Sequence, residues 1–152
     1  MKIAIASGKG GTGKTTVATS LAQVAASDGR TVAYLDCDVE EPNGHLFLKP
    51  QIVQQRPIDK LIPVVDPHRC THCGLCSRAC RYGAIACVGS QILVFTELCH
   101  ACGACLLVCP EDAIHEQPRP IGVLRIGASG SLQFVDGVLN VGEAMSPPAI
   151  RA

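Results

Sequence analysis

The sequence predicts an α/β fold interrupted by a cysteine-rich block, and three observations carry that expectation. Residues 1–38 read as a short apolar strand, a glycine loop, a helix and a second apolar strand. Eight of the ten cysteines fall in two copies of one spacing, offset by 29 residues. Apolar residues make up 47% of the 152, aromatics only 3%, and Trp is absent, so the core is built from Val, Ile, Leu and Ala. Such a core suits a largely parallel sheet covered by helices.

Taken in order, Lys2 to Ala6 reads as a buried strand and Ser7 to Gly13 as a loop. Lys14 to Ser27 reads as a helix with Val17, Leu21, Val24 and Ala25 on one face, ended by Asp28-Gly29. Thr31 to Leu35 is a second buried strand, closed by Asp36-Cys37-Asp38, and the unit is expected to be a right-handed βαβ with its two strands parallel. From Val39 to about Arg56, Pro42, Asn43, Gly44 and Pro50 indicate loop and linker. A cysteine block follows, and after Pro118 and Pro120 the texture changes again. Ile121 to Ile126 and Leu132 to Val141 look like hairpin strands, with a turn at Gly127 to Gly130 and a second turn or bulge at Asp136-Gly137. Met145 to Ala152 has the character of a helix start. The expected organisation is 1–57, a nucleotide-binding segment; 58–117, the cysteine domain; and 118–152, a return to the first domain.

Composition excludes several classes. Net charge is zero, so there is no general attraction to nucleic acid or anionic lipid. The opening apolar run is too short for a signal peptide, and no stretch approaches the roughly 18 residues of a transmembrane segment. Ten cysteines without a secretory leader point to thiols kept free for metal in a reducing cytoplasm.

Cys70, Cys73, Cys76 and Cys80 read C-x2-C-x2-C-x3-C, and Cys99, Cys102, Cys105 and Cys109 repeat the pattern, with Pro110 after the last and Arg81 at the corresponding place in the first run. The repeat extends further, since CTHCGLCSRACRYGAI aligns with CHACGACLLVCPEDAI through every Cys, one Gly and the closing Ala-Ile. This is the thiolate spacing of cubane iron–sulfur clusters. Structural zinc also uses C-x2-C pairs, but it needs two pairs per site and leaves both the x3 interval and the repeat unexplained. Cys37 and Cys87 lie outside the runs and read as buried small hydrophobes, while His72 and His100 lie within the loops and read as neighbours rather than ligands. The block resembles the bacterial two-[4Fe–4S] ferredoxin domain over about 60 residues. That resemblance implies a pseudo-twofold α+β insert with low-potential one-electron clusters, the fourth Cys of each run serving the other cluster. One set is then Cys70, Cys73, Cys76 and Cys109, and the other Cys99, Cys102, Cys105 and Cys80.

Gly8-Lys9-Gly10-Gly11-Thr12-Gly13-Lys14-Thr15, followed by Thr16, fits the phosphate-loop pattern G-x4-G-K-[ST]. Its glycines let backbone N–H groups face phosphate oxygens, and the helix N-terminus adds positive potential. Lys14 is placed to reach the β- and γ-phosphates and Thr15 to hold Mg²⁺. Lys9 and the glycines after it make the variant K-G-G-x-G-K-T, which resembles the deviant Walker A loop of MinD-type ATPases. That resemblance implies that Lys9 acts across a dimer on the partner's nucleotide, that Asp38 helps position the attacking water, and that Asp36 sits near Mg²⁺. With LDCDVEEPN at Leu35–Asn43, PRPIGV at Pro118–Val123 and LNVGEAMSPP near the end, the whole chain resembles MinD-superfamily P-loop ATPases containing an inserted ferredoxin domain.

The acidic D-x-P-P-G element of that class does not occur in the sequence, so the ATPase sheet reads as incomplete and the chain as the N-terminal half of such a protein. The expected function is nucleotide-coupled electron transfer through two [4Fe–4S] clusters, with ATP and Mg²⁺. Expected partners are a redox protein and a second copy or paralogous ATPase. Two alternatives stand beside it: a cluster assembly or carrier ATPase of the Mrp type, and a ferredoxin module whose loop serves only for docking.

Overall fold

A computed structural model describes residues 1–143 and 146–152. In chain order its elements are α1 (Lys14–Ser27), β1 (Val32–Asp36), α2 (Gly44–Leu48), β2 (Gln51–Val65), α3 (Leu75–Ala79), β3 (Ile85–Val88), β4 (Gln91–Val94), α4 (Ala104–Leu107), β5 (Ile114–Ser129), β6 (Leu132–Leu139) and α5 (Ser146–Arg151), with a 3-10 turn at Thr96–Leu98. The chain divides into two units, one of residues 1–58, 122–140 and 149–152, the other of residues 59–121 and 141–148. Ala144 and Met145 of the LNVGEAMSPP stretch lie outside the described residues.

A mixed sheet has the order β1-β6-β5-β2. β1 runs parallel to β6, from Val32 opposite Leu132 to Asp36 opposite Asp136, and β5 and β6 form an antiparallel hairpin. Tyr34 and Phe134 sit on neighbouring strands with stacked rings, centroids 5.9 Å apart. Together with Ala22, Leu48 and Leu132 they form the buried core of the first unit.

Four expectations are corrected. Lys2 to Ala6 forms no strand and is largely exposed. A strand exists by its ladder, and the parallel partner that β1 takes is β6, whose Phe134 answers Tyr34. The buried stripe of α1 is Thr19 and Ala22, flanked by Ala18 and Ala26, whereas Val17, Leu21 and Val24 are exposed. Alanines four apart let the helix lie close to the sheet, and that rotation carries the larger apolar side chains off the contact. The stretch expected as linker instead holds α2 and the start of β2. Pro57 and Pro63 are tolerated within β2 because it is the last strand of the sheet, where a missing N–H breaks no ladder on the open side. Finally, the β5–β6 turn falls at Gly130-Ser131, with Gly127 inside the strand and Asp136-Gly137 continuing β6. A side chain at Gly127 would meet the Gln51 carbonyl oxygen at 2.4 Å, so the glycine reflects close backbone approach rather than a turn.

The second unit contains the β3–β4 hairpin and a core of Cys76, Ile85 and Ile114, against which Val65, Cys80, Cys105 and Cys109 pack.

Candidate functional site

The glycine loop leads directly into α1, with Gly13 at the N-cap in the left-handed conformation (φ 83°). Thr12 Oγ1 donates to Ser7 Oγ at 2.8 Å, and Ser7 Oγ donates to the Lys9 carbonyl at the same distance, so short hydroxyls hold the bend. Side chains added at Gly8, Gly10, Gly11 or Gly13 would meet nothing within 4 Å, leaving open space over the loop backbone. Lys9, Thr12 and Thr16 are exposed, and Lys14 and Thr15 half-buried at the first turn of a 14-residue helix. Orphan N–H groups and a positive dipole end at that place suit an anion.

Asp36 ends β1. Its Oδ2 accepts from the Gly44 N–H at 2.8 Å and its Oδ1 from the Asp38 N–H at 3.2 Å, so it holds the start of α2 and the bend after β1. Each carboxylate oxygen has a second lone pair. Asp38 is exposed, and so is Cys37, against the expectation of burial; both lie in the extended segment beyond the strand, where no layer covers them. Asp136, read from sequence as a turn residue, is a buried strand carboxylate held by Arg125, whose Nε donates to Oδ1 at 2.8 Å while Nη2 also contacts Oδ2.

In the second unit the offset of 29 is written into the backbone. His72 and Ala101 have φ 57° and 50°, Gly74 and Gly103 both 71°, and Gly83 and Asp112 64° and 45°. The Ala84 N–H donates to Cys80 Sγ and the Ala113 N–H to Cys109 Sγ, each at 3.3 Å. The Phe95 N–H reaches the Ala84 carbonyl at 2.8 Å, and the Asp66 N–H the Ala113 carbonyl at 2.7 Å. Gly74 and Gly103 begin α3 and α4, where only glycine takes a positive φ without strain.

The fold sorts the eight cysteines. Cys70, Cys73, Cys76 and Cys109 line one small cavity, of about 20 Å³. Cys80, Cys99, Cys102 and Cys105 line another of about the same volume. Each set takes three sulfurs from one run and the last from the other. Among the described residues, no three His, Cys, Asp or Glu side chains converge as a single-ion site. The sulfurs surround a space rather than a point. Burial pushes the Cys76 and Cys105 thiols up, so the fold alone favours their neutral form, and a thiolate there calls for nearby positive charge.

Several contacts were not legible as site features. Arg78 Nη1 donates to the Cys73 carbonyl at 3.4 Å, and Cys87 Sγ approaches the His72 carbonyl at 3.5 Å. Tyr82 stacks on His100, ring centroids 3.7 Å apart. Extending the repeat alignment past the cysteines exposes part of this, because position 87 then matches Glu116, and both flank a loop glycine.

Three relatives from Methanocaldococcus jannaschii bear on identity. The chain is 40% identical to Uncharacterized protein MJ0578 over 87 residues, 56% of this chain and 30% of that protein. It is 31% identical to Uncharacterized protein MJ0579 over 106 residues, 69% and 38% respectively. It is 54% identical to Uncharacterized ATP-binding protein MJ0547 over 46 residues, 30% and 17%. The chain therefore spans well under half the length of these relatives. Among the described residues no helix is long and apolar enough to cross a membrane. The family described as CobQ/CobB/MinD/ParA nucleotide binding domain matches residues 3–143, so the open glycine loop at the start of α1 is that of a nucleotide-binding domain, and the chain belongs to this family.

Proposed function

We propose that this chain binds ATP at its glycine loop and carries two [4Fe–4S] clusters, coupling nucleotide binding to one-electron transfer. The observation that carries the reading is the division of the eight cysteines into two four-sulfur cavities with a crosswise fourth ligand. Four soft sulfur donors around a shared space fit a cubane, whereas structural zinc draws four ligands onto one tetrahedral point. When bound, each cubane supplies a site that accepts and releases a single electron.

In this reading Cys70, Cys73, Cys76 and Cys109 hold one cluster and Cys99, Cys102, Cys105 and Cys80 the other. Apolar Val65, Ile92 and Ile114 line the first cavity. At the other site, the backbone of Gly8, Gly10, Gly11, Thr12 and Gly13 cradles phosphates, Lys14 neutralises them, and Thr15 and Thr16 sit at the helix start. Thr15 and Asp36 are the Mg²⁺ side of the site, Lys9 reaches a partner's nucleotide, and Asp38 orients water. The ATP-binding relative supports ATP as the nucleotide. The sequence contains no D-x-P-P-G element, so the 152-residue chain binds nucleotide but turns it over poorly. Partners in this reading are a one-electron redox protein and a second copy or paralogous ATPase, in a reducing compartment such as the cytoplasm.

Anaerobic iron and sulfide counts with EPR test the cluster half: about eight irons per chain are expected from two cubanes, and about four remove one cluster. Fluorescent-nucleotide titration tests the other half. Lys14→Ala should weaken ATP binding at least tenfold, and equal affinity for variant and parent would remove the glycine loop from the nucleotide site.

A further inference from the structure

The two four-cysteine cavities are built by pseudo-symmetric loops, yet the charges set against those loops have opposite sign. At Gly74 of the first loop, the nearest atom to an added side chain is Arg78 Nη1, at 3.4 Å. At Gly103 of the second loop it is Glu116 Oε1, at 4.0 Å. Leu107 occupies the position equivalent to Arg78, and Cys87 the position equivalent to Glu116. One carboxylate lines each cavity, Glu111 in the first and Glu116 in the second, so these offset one another. What remains unmatched is the Arg78 guanidinium, which also donates to the carbonyl of the ligand residue Cys73. Arg78 and Arg81 are both exposed and line neither cavity; what sets Arg78 apart is its hydrogen bond to the Cys73 carbonyl.

From this juxtaposition we infer that Arg78 makes the two clusters electrochemically unequal, with the Cys70/Cys73/Cys76/Cys109 cluster at the higher potential. Adding an electron makes a cluster one unit more negative. A guanidinium behind the ligand loop favours that reduced form by Coulomb attraction and by polarising the Cys73 carbonyl. An electron arriving from a low-potential one-electron donor protein therefore settles on the Arg78 side, and the second cluster is the last reduced. The inference rests on the two-cluster reading and adds direction to it.

The test is an EPR-monitored redox titration of the anaerobic chain at one fixed pH, alongside an iron count. Two resolved midpoints are expected. Arg78→Leu, which copies the second loop, should lower the upper one by about tenfold in the reduction equilibrium, ~59 mV for one electron, and leave the lower one in place. Arg78→Lys should keep most of the separation. Leu107→Arg should raise the lower midpoint. Eight irons with a single midpoint, or with midpoints that Arg78→Leu does not move or moves equally, overturn the inference while leaving the two-cluster reading intact. Fewer than eight irons overturn the two-cluster reading and the inference with it.

Discussion

Tyr34 shows how one side chain joins core and site. It is 9% exposed, stacks on Phe134, and precedes Asp36 by two residues on the same face of β1. Burial, and then the charges of Asp36 and Cys37, push its hydroxyl up to about 12 from the ordinary 10.0. The neutral phenol is the form the fold accepts, so its contribution is fully present below about pH 10 and is lost as pH rises towards 12. In a Tyr82→Phe background, which leaves Tyr34 as the single tyrosine, tyrosinate absorbance should emerge only in that upper range. A transition near 10 would show that Tyr34 does not feel this environment. At this scale much of the site was legible. The eight cysteines and the loop residues Gly8 to Thr16 stand out by their spacing. The buried Asp136 was hidden because Asp-Gly favours turns locally, and only its Arg125 partner across the hairpin makes burial tolerable.

Among the elements, α1 was legible in extent but not in orientation. Its start is set by the glycine loop and its end by Asp28-Gly29, both local, whereas the buried stripe depends on what it packs against. β2 was hidden because proline argues against strands until its place as the last strand of the sheet is known. That strand also carries Lys60, whose side chain is 0% exposed and whose Nζ lies 3.0 Å from Glu143 Oε2. Glu143 follows β6 and also accepts from Arg119 of β5 at 2.5 Å, while Arg119 reaches Glu97 at 3.3 Å. One carboxylate thus ties the segment after β6 to two strands within the second unit. Removing its charge leaves the Lys60 ammonium buried and uncompensated, a situation that costs about 3–5 kcal/mol. Glu143→Gln should lower the denaturant midpoint accordingly, and the apolar double variant Lys60→Met/Glu143→Leu should recover most of it. An unchanged midpoint in Glu143→Gln would mean that the pair does not hold this segment.

Across the whole molecule, two textures alternate along the sequence, aliphatic runs in one stretch and cysteine intervals in the other. The sequence pattern showed the insertion and the return, but not the second excursion at residues 141–148. The chain passes from one unit to the other four times, at 58/59, 121/122, 140/141 and 148/149. β2 and β5 each contribute residues to both units, and α2, just before β2, is held by Asp36 at the end of β1. A nucleotide that alters the hydrogen bonds of Asp36 therefore acts on a segment continuous with the strand that reaches the cysteine unit. Allosteric coupling of this kind requires that ATP and ADP differ in affinity between two states of that connection. The expected outcome, in a full-length family member carrying this domain, is a cluster EPR spectrum or midpoint that differs between ATP- and ADP-loaded protein. Lys14→Ala should abolish the difference by preventing loading, while Asp36→Asn should shrink it with nucleotide still bound. Identical spectra and midpoints in the two nucleotide states, at saturating nucleotide and full iron content, would separate the two functions and leave the cysteine unit a passive carrier attached to a nucleotide-binding domain.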